Sequence, residues 1–273
     1  WLSLASALAL FLALSLKNIT LPGLYYDEAL DVTPAMQLVL GLPVEPVRGA
    51  AVRLGERVLP LMVMDYVGTV NTYLAAPLFA LGGVSVASVR LLPILLAALC
   101  MALGFRLAVR LFDWRAAALA TLLVAVDPSY VFFSRMGIHV TSVMNVFAMS
   151  SLLAFLRWRD ERRARWLVLG GLLLGLGLWA KVLFLWWIVA LAVYGAARAA
   201  ASAGRQARPA GLVSAVQAVA GRHTRPVALV LAGLLVGSAP LWVYNLATGG
   251  TLISFGRNAL VTEHGVSNLD VLR

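Results

Sequence analysis

The chain has 273 residues, of which 62% are hydrophobic and 12% are Asp, Glu, Lys or Arg. Its mean hydropathy is +0.90, and its formal net charge at pH 7 is +10. Soluble domains carry about twice this share of charged residues, so the composition excludes a soluble globular domain and a disordered chain. The single cysteine, Cys100, excludes a disulfide-rich scaffold. We therefore predict an integral membrane protein, within which the positive charge has to be explained.

Apolar runs of the length that crosses a bilayer, roughly 20 residues, recur along the chain. They lie at 1–16, 88–105, 116–133, 138–156 and 226–247. The stretch 166–197 is too long for one span, and Lys181 lies near its middle, where a charge is costly. We therefore predict two short spans, 166–180 and 183–197, with Lys181 at the turn between them. The expected fold is an all-α polytopic bundle of about seven transmembrane helices, in one domain over residues 1–273.

The distribution of charge predicts the orientation of the bundle. Thirteen basic and three acidic residues fall in the loops 106–115, 157–165 and 198–225, whereas the opposite side carries nine of each. The positive-inside rule makes the basic side cytoplasmic. The N-terminus is then cytoplasmic and residues 17–86 lie outside. The basic loops are explained as topology determinants that contact anionic lipid head groups, so we expect membrane lipids, and no nucleic acid, as partners.

Residues 17–86 form the one long loop between the predicted spans, and loops of this length are usually functional or disordered. The apolar and aromatic stretches 59–64 and 74–81 argue against disorder and predict short helices along the membrane surface. Six of the twelve acids of the chain fall here.

The chain starts at Trp1 and ends in a polar stretch, and we expect it to be the N-terminal part of a longer protein.

The most informative motif of this loop is Tyr25-Tyr26-Asp27-Glu28, about a dozen residues after the first span. Burial raises the pKa of a carboxylate, and a carboxylate neighbour raises it further. Such a group can remove the proton of an attacking hydroxyl. The alternative is that Asp27 and Glu28 simply begin a surface helix, where acids favour the N-terminal dipole.

A series of motifs follows in a characteristic order along the chain. The pair Asp27-Glu28 after a first span is one such motif. The others are Pro60–Gly68, Tyr73–Pro77, Leu81–Ser85, Arg90–Pro93, Arg106–Phe112, Asp127-Pro128, Phe133-Ser134-Arg135, Gly175–Lys181, Pro240–Asn245 and Gly249–Thr251. In their order these motifs resemble those of the GT-C glycosyltransferases, which include the protein O-mannosyltransferases and the bacterial aminoarabinose transferases. The resemblance extends over nearly the whole chain.

This resemblance implies transfer of a sugar from a polyprenyl-phosphate carrier to a protein, lipid or glycan hydroxyl outside the membrane. It implies that Asp27 is the general base, that Glu28 orients it or binds the acceptor, and that the reaction inverts the anomeric centre, because there is a single displacement. The loop 17–86 is then the catalytic loop. The protein is expected in a bacterial inner membrane.

Three outward cations are candidates for the carrier phosphate: Lys181, Arg135 and Arg257. An ionisable residue at membrane depth favours Lys181, although a lysine that extends to the interface explains it equally simply. Arg135 has the alternatives of capping its helix or pairing with Asp127. Tyr26, Asp65 and Tyr66 are expected to shape the substrate site, with a solvated Asp65 as the alternative.

No metal or other cofactor is expected, since the histidines are isolated; a divalent ion at Asp27 and Glu28 is the less favoured alternative. Many members of the resembled family carry an acid five residues after the arginine of the Ser-Arg motif, where this chain has Val140. This departure leaves the donor sugar and acceptor class open. The competing functions are a transporter or flippase of lipid-linked sugars and a non-catalytic assembly subunit.

Overall fold

The structure is a computed structural model that describes residues 1–135, 139–204, 212–260, 262–263 and 266–267. Its helices are α1 (Leu2–Leu16), α2 (Tyr26–Leu40), α3 (Val70–Gly82), α4 (Val86–Leu111), α5 (Trp114–Val126), α6 (Pro128–Arg135), α7 (His139–Glu161), α8 (Ala164–Ala180), α9 (Leu185–Gly204), α10 (Leu212–Gly237), α11 (Ala239–Thr248) and α12 (Gly250–Leu260). The strands are β1 (Ala51–Leu54), β2 (Arg57–Pro60), β3 (Met62–Met64), β4 (Val67–Gly68), β5 (Thr262–Glu263) and β6 (Val266–Ser267). Helices therefore dominate, as the sequence predicted for an all-α protein.

The number of helices that could cross a membrane is smaller than the predicted seven. Within the described ranges, α4 alone is long and apolar enough, and the number rises to three if α5 with α6 and residues 224–237 of α10 with α11 each count as one bent span. These two pairs bend by 59° and 63°. The apolar helices α1, α3 and α8 and the segment Val182–Arg198 have 10–17 residues, fewer than a full crossing needs.

The predicted break at Lys181 is confirmed. α8 ends at Ala180, Lys181 is extended, and a short 3₁₀ turn at Val182–Phe184 leads into α9. The Lys181 backbone pairs antiparallel with Val67 of β4. This lysine therefore interrupts the apolar stretch and lies against the outer loop instead of inside one long helix.

The apolar stretch 59–64 of the outer loop is extended, so the prediction of a surface helix there was wrong. β1 and β2 form an antiparallel hairpin about Gly55, whose φ of +61° suits glycine in a tight turn. β3 and β4 form a second, irregular antiparallel pair. The valines at 58, 63 and 67 favour strands, since branching at Cβ restricts the side chain least in extended backbone. The predicted helix over 74–81 is present, within α3.

Glycines bring α8 and α10 into close contact. A methyl group at Gly171 would overlap the carbonyl oxygen of Val230, and one at Gly175 would overlap that of Leu234. Contact positions advance in the same direction on both helices, so α8 and α10 are parallel. The glycine run of α8 thus serves close helix packing.

The other half of the bundle also contains parallel pairs. Cys100 and Arg110 of α4 contact Ser142 and Asp160 of α7, in that order along both helices. Buried Leu4 of α1 packs near Ala117 of α5, and Phe11 packs near Ala125. The chain has to reverse its direction between two parallel helices. It does so through α5 and α6 between α4 and α7, and through α9 between α8 and α10.

Candidate active site

The first turn of α2 separates the two adjacent carboxylates. Asp27 is exposed to solvent, whereas Glu28 is 0% exposed. Consecutive residues of a helix point about 100° apart, so one side chain of the pair faces outward when the other faces the protein. Tyr26 is exposed beside Asp27. Asp27 and Glu28 thus do begin a helix, as the alternative interpretation proposed. The exposed Asp27 side chain is nevertheless accessible to a substrate.

Glu28 is held inside by Arg90 of α4. Their charged atoms are 3.4 Å apart, and both side chains are fully buried. Arg90 also donates to the carbonyl oxygens of Ile19 (2.8 Å) and Gly23 (2.9 Å), in the link between α1 and α2. Burial raises the pKa of Glu28, and the charge and hydrogen bonds of Arg90 oppose that rise. Glu28 therefore anchors the turn that presents Asp27.

A second buried carboxylate, Asp31, lies one turn further along α2. Asn71 of α3 donates a hydrogen bond to its Oδ2 atom at 2.9 Å. Burial raises the pKa of Asp31 to about 6; the Asn71 hydrogen bond and the Lys181 charge lower it, and the charge of Asp27 raises it. The charges of Asp27, one turn earlier on α2, and of Lys181 therefore both act on the buried Asp31 carboxylate.

The backbone at Lys181 pairs with the outer loop. The Val182 N–H donates to the carbonyl oxygen of Tyr66 at 3.0 Å, next to the pairing of Lys181 with Val67. The structure therefore brings Lys181, which is remote in sequence from Asp27 and Glu28, to the same end of the bundle as these two residues.

Asp65 belongs to a separate cluster. It accepts two hydrogen bonds from Arg48, both 2.8 Å long, and one from the hydroxyl of Tyr244 in α11. The Thr251 hydroxyl donates to the Asp65 carbonyl oxygen at 2.6 Å. The Arg48 hydrogen bonds are the main reason that the pKa of Asp65 lies below its usual value; burial opposes them. Asp65 is thus a tether between the outer loop and residues 244–251, instead of a solvated acid.

The remaining predicted site residues occupy the edges of this region. Arg135 donates to the carbonyl oxygens of Asn18 (2.7 Å) and Leu21 (3.3 Å), so its contacts are with the link between α1 and α2. Arg257 is exposed on α12, and its charge lowers the pKa of Asp65. The side chain of Val140 lies outside the described residues.

Three participants were missed by sequence reasoning as site residues: Arg90, Asp31 and Asn71. Arg90 carried a signal, because an arginine five residues into a long apolar helix needs a partner. Asp31 also carried one, as it follows Asp27 by four residues and so shares its helix face. Asn71 had no such signal, since its role depends on how α3 packs against α2.

The arrangement does not favour a metal ion shared by Asp27 and Glu28. The two carboxylates point to different sides, and Glu28 already faces the Arg90 guanidinium. In the part of the chain that the structure describes, no three His, Cys, Asp or Glu residues come together as a metal site.

An apolar groove begins two residues after Lys181. It has a volume of about 320 Å³ and lies between α7 and the start of α9. Its walls are mostly apolar and aromatic, with one amide; they comprise Met144, Asn145, Ala148, Leu183, Phe184, Trp186, Trp187 and Ala190.

A family model of dolichyl-phosphate-mannose-protein mannosyltransferases matches residues 68–220, which is more than half of the chain. The chain belongs to this family. No curated protein and no solved structure matches it. Family membership and the apolar helices identify a membrane glycosyltransferase of the GT-C type. The matched range includes Asn71, Arg90 and Lys181, while Asp27 and Glu28 precede it.

Proposed function

We propose that the protein transfers a sugar from a polyprenyl-phosphate carrier to a hydroxyl acceptor of a protein, lipid or glycan on the outer side of a bacterial inner membrane. The observation that carries this proposal is that the charges of the exposed Asp27 and of Lys181 both act on buried Asp31, whose segment packs in one cluster with that of Lys181. A base and a cation are the two groups that the reaction requires, one for the acceptor and one for the leaving phosphate.

In the proposed reaction, the acceptor oxygen attacks the anomeric carbon and its proton passes to Asp27. The bond between that carbon and the phosphate oxygen breaks, and the phosphate leaves with the electron pair beside Lys181. Glu28 and Asp31, the nearby carboxylates of α2, are buried, which favours one displacement and therefore inversion. Glu28 orients Asp27 through the anchored turn.

The groove beside Lys181 supports a lipid-linked donor. An isoprenoid chain is apolar, and apolar walls close to a cation suit a carrier with a phosphate at its end. Tyr26 and Tyr66, near Asp27 and Lys181 respectively, are proposed to contact the substrates. Asp65, with Arg257 nearby, is proposed to hold the outer loop in place beside the site through its hydrogen bond from Tyr244 of α11.

The directions of the helices support the proposed sidedness. α8 and α10 are parallel, so the chain has to return through α9, and the same holds for α5 and α6 between the parallel α4 and α7. Together with the basic loops 106–115, 157–165 and 198–225, this alternation supports the proposal that the N-terminus is cytoplasmic and that residues 17–86 lie outside.

The variant Asp27→Asn tests the base. Membranes that contain the full-length protein are given a radiolabelled polyprenyl-phosphate sugar and a hydroxyl acceptor. We expect kcat to fall by about 10²–10⁴-fold, the usual contribution of a general base, with the donor KM changed little. Glu45→Gln, which neutralises an exposed acid of the same loop, is the matched control and should transfer normally. Normal transfer by Asp27→Asn would exclude this residue as the base.

A further inference from the structure

The buried pair of Asp31 and Asn71 has hydrogen-bonding capacity that the fold leaves unused. Asp31 is 6% exposed and Asn71 is 2% exposed. In the described part of the chain, Oδ1 of Asp31 and Oδ1 of Asn71 are buried and accept no hydrogen bond. Buried acceptors without a donor are costly, so these two oxygens, which belong to hydrogen-bonded residues, favour a cation close to them.

Lys181 is the cation that the fold brings there. Its backbone pairs with Val67, four residues before Asn71. The neighbours of the three polar residues, Val32, Val70 and Ala180, belong to one buried apolar cluster. The segments that carry Asp31, Asn71 and Lys181 therefore pack in one buried cluster, which is a geometric observation independent of charge.

The Lys181 ammonium is attracted by Asp31 without being locked to it. Among the residues with described side chains, Lys181 makes no ion pair within 4 Å, although its charge acts on Asp31. A fully paired lysine would resist contact with a phosphate, while a lysine with no carboxylate nearby would turn toward bulk water. The intermediate arrangement keeps the ammonium near the site and leaves its donors for a ligand.

We infer that Asp31, fixed by Asn71, is a positioning residue that holds the Lys181 ammonium in place for the phosphate of the lipid-linked donor. This inference rests on the proposed function. Asp31 does not touch the reacting atoms. It acts through Lys181, and Asn71 acts by fixing the Asp31 carboxylate between α2 and α3.

The charge of Asp31 should make donor binding depend on pH. The groups that act on it are Lys181 at the end of α8 and Asp27 on its own helix, with Asn71 as the neutral partner from α3. Arg90 of α4 faces Glu28, β3 has no titratable residue, and Val143 of α7 is apolar. With a pKa of about 6, Asp31 is charged and attracts Lys181 at pH 7.5, and is largely neutral at pH 5.

The first measurement is the donor KM of the wild type and of Asp31→Asn between pH 5 and 7.5. For the wild type we expect the donor KM to rise several-fold as the pH falls through about 6. Asp31→Asn should have an elevated donor KM at pH 7.5 that changes little with pH. Glu56→Gln, an exposed acid on the β1–β2 turn, is the matched control and should keep the wild-type profile.

A double-mutant cycle with Lys181→Met separates positioning from a general structural effect. If Asp31 acts through Lys181, Asp31→Asn will raise the donor KM little further in the Lys181→Met background. Additive effects, or an unchanged pH profile in Asp31→Asn, would overturn the inference. If Asp31→Asn fails to fold, the wild-type profile decides: a donor KM that is flat between pH 5 and 7.5 also overturns it. Failure of the proposed function can be distinguished from failure of this inference, because it appears as a normal kcat in the Asp27→Asn variant.

Discussion

Asp27 and Glu28 are neighbours in sequence with opposite environments. Helix geometry turns one outward and the other toward Arg90, so the carboxylates divide into an accessible group and an anchoring group. Arg90 makes that division possible, because a fully buried carboxylate is tolerated only with a compensating charge. At the scale of single residues, the site therefore depends on a buried ion pair that presents an exposed base.

Replacing Arg90 with methionine should destabilise this end of the protein. The change leaves Glu28 buried without its cation, and breaking a buried pair from one side costs about 3–5 kcal/mol. We expect a lower thermal unfolding temperature for the purified protein in detergent and faster proteolysis of the outer loop. Arg53→Met removes an exposed arginine of β1 and is the control that should unfold like the wild type.

Adding Glu28→Gln to Arg90→Met should recover part of the lost stability, because the remaining buried group is then neutral. An Arg90→Met protein as stable as the wild type would contradict the anchoring role of the pair.

At the scale of elements, the 3₁₀ turn Val182–Phe184 and the start of α9 together form one wall of the groove. Leu183, Trp186, Trp187 and Ala190 repeat at the three- and four-residue spacing that places side chains on one helix face. This face meets α7 immediately beyond Lys181. Along the chain the cation Lys181 comes first and the apolar face follows it. A lipid phosphate has the same order, with a charged head group followed by hydrocarbon.

Filling the groove with Ala190→Trp should weaken donor binding. The indole would occupy the space proposed for the isoprenoid chain, so we expect the donor KM to rise about tenfold, a loss of ~1.4 kcal/mol, with a smaller change in kcat. Val189→Trp places the same side chain on the neighbouring exposed position, outside the groove lining, and should leave the donor KM unchanged. Equal effects of both substitutions would exclude the groove as the carrier site.

The outer loop illustrates which elements sequence patterns predict. The helix over 74–81 was predicted from its apolar content, and the break at Lys181 from the cost of a charge inside a span. The stretch 59–64 was assigned to a helix, yet it forms strands. A short apolar run does not distinguish the two, and the pairing of β1 with β2 across Gly55 decided the outcome.

At the scale of the whole molecule, the parallel pairs α4 with α7 and α8 with α10 require an alternating chain. Several of its helices are short; the 17 residues of α8 extend about 25 Å at 1.5 Å per residue, less than a bilayer core of about 30 Å. Bent pairs and flanking arginines and tryptophans suit such lengths, because these side chains occupy the interface.

Cysteine labelling tests the proposed topology. In a Cys100→Ala background, a membrane-impermeant maleimide should label Glu56→Cys in intact cells. It should label Arg163→Cys, in the exposed link between α7 and α8, only after the cells are permeabilised. If Arg163→Cys is labelled in intact cells and Glu56→Cys is not, the orientation is the reverse of the proposed one. If both cysteines are labelled from the same side, residues 56 and 163 do not lie on opposite sides and the proposed topology is excluded.

The sequence by itself determined the membrane character, the mostly helical fold, the break at Lys181 and the family. These follow from composition, from the cost of burying charge and from motif order, which are properties of single segments. Only the tertiary structure decided that Glu28 faces Arg90, that Asp31 pairs with Asn71 and that Asp65 is held by Arg48 and Tyr244. The physical reason is that the pairing of a buried charge depends on which helices pack together, and these partners are separated by 17 to 179 positions.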